Sequence, residues 1–243
     1  MNGFKTIMLM AAACMLNACG DSNAKLMERL AAVDIDSIKP SSDLHGKAML
    51  AGQKLFAQHC AQCHGGGEVP RAVNVPDLSD DYWLIGGENL DDFNIRASDI
   101  EKRIRFGIRA DHDATWKETM MPPRGGASDL TPLEIYQVAE YVLERAGATD
   151  IDLEIAMHGE AVYTGKGGCY DCHGQKGEGA SAFGATDLTR PQYWLYGKTR
   201  AAVTDVITAG AAGVSPAFEG KLTPGEMKAT AIYVHGSAKS LGF

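Results

Sequence analysis

Two copies of one five-residue motif constrain this chain more than any other feature: Cys60-Ala61-Gln62-Cys63-His64 and Cys169-Tyr170-Asp171-Cys172-His173. Both read Cys-x-x-Cys-His. Two thiols three residues apart on one helical turn can each add to a vinyl group of the same porphyrin, and the imidazole that follows then sits under the iron. A zinc site of four thiolates or a redox dithiol accounts for the cysteines but not for a histidine after each second one. A disulfide framework belongs to smaller exported chains. The motifs therefore predict two covalently bound haem c groups, attached through Cys60 and Cys63 and through Cys169 and Cys172, with His64 and His173 as proximal iron ligands.

The remaining cysteines belong to the amino terminus. Lys5 supplies a positive start, and the apolar run from Ile7 to Leu16 is too short to span a bilayer. It ends at Leu16-Asn17-Ala18-Cys19, which resembles a bacterial lipobox. Residues 1–18 thus read as a lipoprotein signal peptide, and Cys19 as a lipidated mature N-terminus that tethers the protein to a membrane. Export of this kind places the chain on the periplasmic side of a bacterial membrane, inner or outer. No later stretch has 18 consecutive apolar residues, so no other span is expected. With 31 acidic against 23 basic residues the formal net charge is −8, and no long Lys/Arg run occurs. Phosphate neutralisation needs clustered cations, so nucleic acid is excluded as a partner and a basic redox protein suits this surface better.

The motifs lie within an internal repeat. Gly52-Gln53-Lys54-Leu55-Phe56 before the first answers Gly159-Glu160-Ala161-Val162-Tyr163 before the second. Pro76-Asp77-Leu78 and Tyr82-Trp83 answer Thr186-Asp187-Leu188 and Tyr193-Trp194, and Leu130-Thr131-Pro132-Leu133-Glu134 answers Leu222-Thr223-Pro224-Gly225-Glu226. Each copy reads as an all-α unit: a helix into the motif, a Gly-rich loop, a middle helix, a Pro-bearing loop and a last helix. Thr131 and Thr223 are N-caps, each followed by Pro and by a Glu three residues on, which is a capping box. Ile135, Val138, Ala139 and Val142, like Met227, Thr230, Ala231 and Val234, recur at helical spacing and mark core faces. The expected organisation is a tether over 19–45 with one short helix from Ala24 to Val33, a first domain over 46–147, a short link from Gly147 to Asp152, and a second domain over 153–243.

A haem held by His64 takes a sixth ligand from its far side, and a thioether suits electron transfer. Met120-Met121-Pro122-Pro123 precedes the last helix of the first repeat, and Met121, with Met120 as competitor, is the candidate. At the matching place in the second repeat stands Ser215, followed by Pro216. A serine hydroxyl is a poor ligand for haem iron. The haem of His173 is then open, water-bound or ligated from elsewhere, with Met227 the nearest substitute and His235, His158, Met157 and His112 weaker ones. Along the chain no His or Arg lies close to Ser215. Met121 follows Gly107 by 14 positions but Ser215 follows Gly210 by five, so Arg109 to Thr119 form an extra polar loop suited to docking. Arg103, Arg105 and Arg109 are candidates to pair with propionates.

The run Asn74-Val75-Pro76-Asp77-Leu78-Ser79-Asp80-Asp81-Tyr82-Trp83-Leu84, then Ile104-Arg105-Phe106-Gly107-Ile108-Arg109, then Met121-Pro122, resembles the first haem domain of the CcoP/FixP subunit of cbb3-type cytochrome c oxidases. Tyr193-Trp194-Leu195-Tyr196-Gly197 with Tyr233-Val234-His235-Gly236 resembles the second domain of that family. The resemblance spans residues 46 to 240. It implies two tandem class I cytochrome c domains, His/Met ligation, and electron delivery toward an oxygen-reducing partner. Two departures are the lipobox in place of a transmembrane anchor and Ser215 in place of the axial methionine. The function expected is a dihaem cytochrome that passes single electrons from a donor cytochrome to a terminal oxidase or reductase, without small-molecule substrate or catalysis of its own. The alternative is a haem enzyme or gas sensor that uses the open position of the second haem.

Overall fold

The computed structural model describes residues 23–80, 82–84, 95–117, 120–125, 130–180 and 183–238. The signal peptide and Cys19 lie outside them. The chain is helical: α1 (23–32), α2 (Asp43–His59), α3 (Ala61–His64), α4 (Ala97–Phe106), α5 (Pro132–Arg145), α6 (Leu153–Thr164), α7 (Tyr170–His173), α8 (Arg200–Ala209) and α9 (Pro224–Ser237). Among the described residues there is no strand, only isolated bridges. Nor is any of these helices long and apolar enough to cross a membrane.

Both capping boxes form as the sequence predicts. Thr131 Oγ1 accepts from the Glu134 amide at 3.2 Å while Glu134 accepts from the Thr131 amide at 2.7 Å, and Thr223 and Glu226 repeat the exchange. The predicted faces are buried, from Ile135 to Val142 on α5 and from Met227 to Val234 on α9.

What those faces bury against is not their own repeat. α9, the last helix of the second repeat, packs on α2 and α4 of the first, and α5, the last helix of the first repeat, packs on α6 and α8 of the second. One core joins Ala48, Phe56, Ala61 and Ile100 to Ala229, Ile232 and Val234; the other joins Ile135, Val138 and Tyr141 to Tyr163, Val203 and Ile207. The second unit is thus a continuous stretch, α5 to α8, inserted into a first unit made of α1 to α4 and α9. The repeat boundary at 147–153 is not a boundary between cores.

Each crossing is built on a glycine. A Cβ on Gly52 would stand 2.1 Å from the Ala229 carbonyl oxygen, and one on Gly159 would stand 1.9 Å from that of Gln137. The helices therefore touch backbone to backbone. One turn on, rings close the contact, Phe56 on Tyr233 at 5.4 Å and Tyr163 on Tyr141 at 5.1 Å. In the second unit the fully buried Glu140 carboxylate accepts from Arg200 Nε and from the Asp152 amide at 2.9 Å, tying α5, α8 and the link together.

The stretch expected as a tether is packed from residue 23 onward. Met27, Leu30 and Ile35 are buried in the first core, the Gly225 backbone lies against the Met27 carbonyl, and Lys228 Nζ donates to the carbonyls of Ala31 and Val33 at the end of α1. Apolar residues three apart gave α1 one side to bury, and α9 supplies the surface.

One substitution type has opposite expected effects at two sites. Gly159→Ala forces helices apart and should destabilise by about 1–3 kcal/mol, whereas Gly46→Ala on the exposed side of α2, where an added Cβ meets nothing within 4 Å, should stabilise by about 0.5–1 kcal/mol; thermal unfolding followed by circular dichroism reads both. Glu134 is held down to about 2 from 4.5 by the Thr131 amide and by Lys166. A depressed carboxylate stabilises above its unfolded pKa and loses that contribution as pH falls through the folded one. The stability difference between wild type and Glu134→Gln, present at neutral pH, should vanish between about pH 4.5 and pH 2 in an acid titration.

Candidate haem sites

α2 runs directly into the first motif. The amides of Cys63 and His64 bond the Cys60 carbonyl at 3.1 and 2.9 Å, which winds the motif into α3 and brings both thiols to one turn. In the second motif the amides of Cys172 and His173 bond the Cys169 carbonyl at 3.3 and 2.9 Å. Gly65 and Gly174 end these turns at φ 74° and 78°, where a side chain is strained. All four cysteines are free; Cys63 and Cys172 are exposed, Cys60 and Cys169 half-buried. Burial, then the neighbouring Cys63, pushes the Cys60 thiol up to about 11. Cys169 is also raised by burial, against the opposing charge of Arg124.

Each motif histidine is oriented through its backbone-facing nitrogen. His64 Nδ1 lies 3.1 Å from the Pro76 carbonyl and His173 Nδ1 lies 2.8 Å from that of Thr186. Burial pushes both imidazoles toward the neutral form, with those carbonyls opposing. A neutral ring that donates from Nδ1 keeps its Nε2 lone pair for a metal. The carbonyl loops are braced alike: Asp77 Oδ1 accepts from Ser79, and Asp187 Oδ1 from Thr189, through amide and hydroxyl in each case. The sequence repeat had marked Pro76-Asp77-Leu78 and Thr186-Asp187-Leu188, but a role carried by a backbone carbonyl leaves no residue-type signature.

These residues fit a covalently held haem. Thiols, imidazole and bracing loop recur together in both units. Trp83 Nε1 is buried without a hydrogen-bond partner among the described residues, an orphaned donor that a carboxylate of a bound haem would satisfy. Its counterpart Trp194 donates to the Asp187 carbonyl at 3.2 Å. Among the described residues no three His, Cys, Asp or Glu side chains converge, so the four thiols do not form one tetrathiolate site.

The structure regroups the candidates for the far side. Met121, read from chain order as the partner of His64, is half-buried against the second core, to whose periphery Cys169, Tyr170, Leu188 and Trp194 also belong. The chain leaves the first unit before reaching it. Met120 is 57% exposed. Ser215 and Met227 lie in the first unit with His64, and Met227 is buried there on α9. His235 is bonded to the Ile95 backbone, while Met157 and His158 are exposed on α6. Arg109 and His112, remote from Ser215 in sequence, are its neighbours in space. Arg109 Nε donates to the Gly213 carbonyl at 2.6 Å, and His112 Nε2 is 2.9 Å from Glu219. The guanidinium groups of Arg103 and Arg109 both lie over Trp116.

The two units also meet through the tyrosines that precede the tryptophans. Tyr82 stacks on Tyr193 at 4.7 Å, Arg190 lies over both rings, and Tyr82 Oη accepts from the Asp187 amide at 2.8 Å. Asp187 follows Thr186, so this bond reaches the backbone that holds His173.

The family profile described as cytochrome C oxidase, cbb3-type, subunit III matches residues 47–142 and 154–234. Among curated relatives, a cbb3-type cytochrome c oxidase subunit CcoP from Cereibacter sphaeroides is 34% identical over 91% of this chain and 72% of its own length. The CcoP subunit from an Azospirillum species is 37% identical over 87% and 70%, and the FixP subunit from Bradyrhizobium diazoefficiens 37% over 86% and 68%. The all-α, two-unit architecture expected from the sequence agrees with this. Tyr82→Phe keeps the ring stack but leaves the part-buried Asp187 amide unpaired, and it should lower stability by about 1–3 kcal/mol in chemical denaturation.

Proposed function

This chain belongs to the family of cbb3-type cytochrome c oxidase subunit III, and from that membership we propose a dihaem cytochrome that carries single electrons on the periplasmic side of a bacterial membrane, from a donor cytochrome toward a terminal oxidase or another reductase. The observation that carries this reading is the pair of Cys-x-x-Cys-His turns whose histidines are each fixed by a carbonyl at Nδ1. Haem iron, when bound, exchanges one electron between its ferric and ferrous states. The chain does the rest. Cys60 and Cys63, and Cys169 and Cys172, hold the two groups by thioether bonds, which keeps the cofactors in place through repeated encounters with partners.

His64 and His173 present Nε2 to the iron, and the carbonyls of Pro76 and Thr186 fix the rings so that little rearrangement accompanies a change of charge. No residue is required to make or break a substrate bond, which fits an electron-transferring subunit within an oxidoreductase complex. The net charge of −8 favours encounter with a basic partner surface, and a lipid on Cys19 confines the search to the membrane plane.

The test is expression with c-type maturation in a bacterial host. The full chain should retain two haems on a denaturing gel, Cys60→Ala/Cys63→Ala and Cys169→Ala/Cys172→Ala one each, and Cys19→Ser should move the protein from the membrane to the soluble periplasmic fraction. Loss of haem from the unsubstituted chain on denaturation would contradict the reading.

A further inference from the structure

The exchange of last helices also exchanges the segments in front of them. Met121-Pro122 precedes α5 and Ser215-Pro216 precedes α9, so each crosses to the other unit together with its helix. The backbone records both crossings. Ser215 pairs with Ile108, just past the end of α4, through bonds of 3.0 and 2.9 Å. Met121 pairs with Ala211, just past the end of α8, through two bonds of 2.9 Å. The glycines ending those helices make the approach possible: a Cβ on Gly107 would stand 2.5 Å from the Ser215 carbonyl oxygen, and one on Gly210 would stand 2.5 Å from that of Met121.

The flanks agree. Three residues past Ser215, Phe218 lies against His59, next to Cys60, and its amide bonds the Ile104 carbonyl on α4. Three residues past Met121, Arg124 lies beside Gly168, next to Cys169, and its amide bonds the Ile207 carbonyl on α8. Met121 itself packs against the second core, the same cluster that Cys169, Leu188 and Trp194 pack against.

From these contacts we infer that the axial positions are crossed between the repeats: Met121 serves the haem attached at Cys169, Cys172 and His173, and the haem attached at Cys60, Cys63 and His64 faces Ser215. The site without a thioether is therefore the first motif, the reverse of the chain order. His112 does not replace it. Its Nδ1 accepts from the Ala114 amide at 3.0 Å, so its Nε2 carries the proton and donates to Glu219. A thioether favours ferrous iron, so the second-motif haem is the first to be reduced and the first-motif haem is the low-potential, ligand-accessible one. This inference rests on the proposal that both motifs carry haem c.

The test uses the full-length holoprotein and carbon monoxide as probe. The Cys60→Ala/Cys63→Ala variant, which keeps only the second-motif haem, should be low-spin, show the far-red methionine charge-transfer band, and bind no carbon monoxide. The Cys169→Ala/Cys172→Ala variant should lack that band, be high-spin in the ferric state, and bind carbon monoxide. In the unsubstituted protein, which needs no altered fold, the upfield-shifted methyl of the axial methionine in the reduced NMR spectrum should give Overhauser contacts to Trp194 and not to Trp83. Met121→Leu should abolish that resonance, and Ser215→Met should abolish carbon monoxide binding. A methionine band that stays with the first motif, or contacts to Trp83, overturns the crossing. Two low-spin haems inert to carbon monoxide overturn the open site at Ser215. Absence of covalent haem from the unsubstituted chain defeats the underlying proposal instead, so the two failures are distinct.

Discussion

The close crossing of a first helix with a last helix is the contact on which the rest of this structure depends. Gly52 and Gly159 remove the side chain where backbone meets backbone, and the rings of Phe56 with Tyr233 and Tyr163 with Tyr141 fill the next turn. A helix pair so locked fixes the position of the motif that follows the first helix and of the loop that precedes the last. Histidine, thiols and the far-side residue are all placed from that crossing. In this chain both crossings form between repeats, so every such placement links one half of the sequence to the other.

That exchange makes one interlocked body of two similar units. The chain passes between them at residues 108–121 and again at 211–215, the Tyr82–Tyr193 stack joins them at a third place, and Glu140 with Arg200 secures the helix nearest the link. In the proposed dihaem cytochrome such a body would hold the two irons at a fixed separation. The loop of Arg109, His112 and Trp116 acquires a meaning its polar composition did not suggest, because its backbone and the Arg109 guanidinium bring it to the segment of Gly213 and Ser215.

Much of the local structure was legible. Thr-Pro-x-Glu specified both capping boxes, helical spacing identified the buried faces of α5 and α9, and Cys-x-x-Cys-His located the turns that hold histidine against a carbonyl. The misses have physical causes. α1 looked like part of a tether because three apolar residues among polar ones carry little weight until Gly225 and Lys228 of α9 meet them. The carbonyls of Pro76 and Thr186 were invisible as functional groups because every residue has one.

Sequence by itself determined the units: two motifs, two sets of helices, their caps, their buried faces, and a serine where one methionine was due. Only the tertiary structure decided which first helix receives which last helix. The two repeats carry the same glycine-and-ring pattern, so either pairing satisfies the local code, and no residue-level signal separates them. The short turn from Gly147 to Asp152 brings α5 straight onto α6, its neighbour in the chain, and α9 is left to close on α2. Connectivity, not residue preference, made that choice, and with it carried Met121 from the first core to the second.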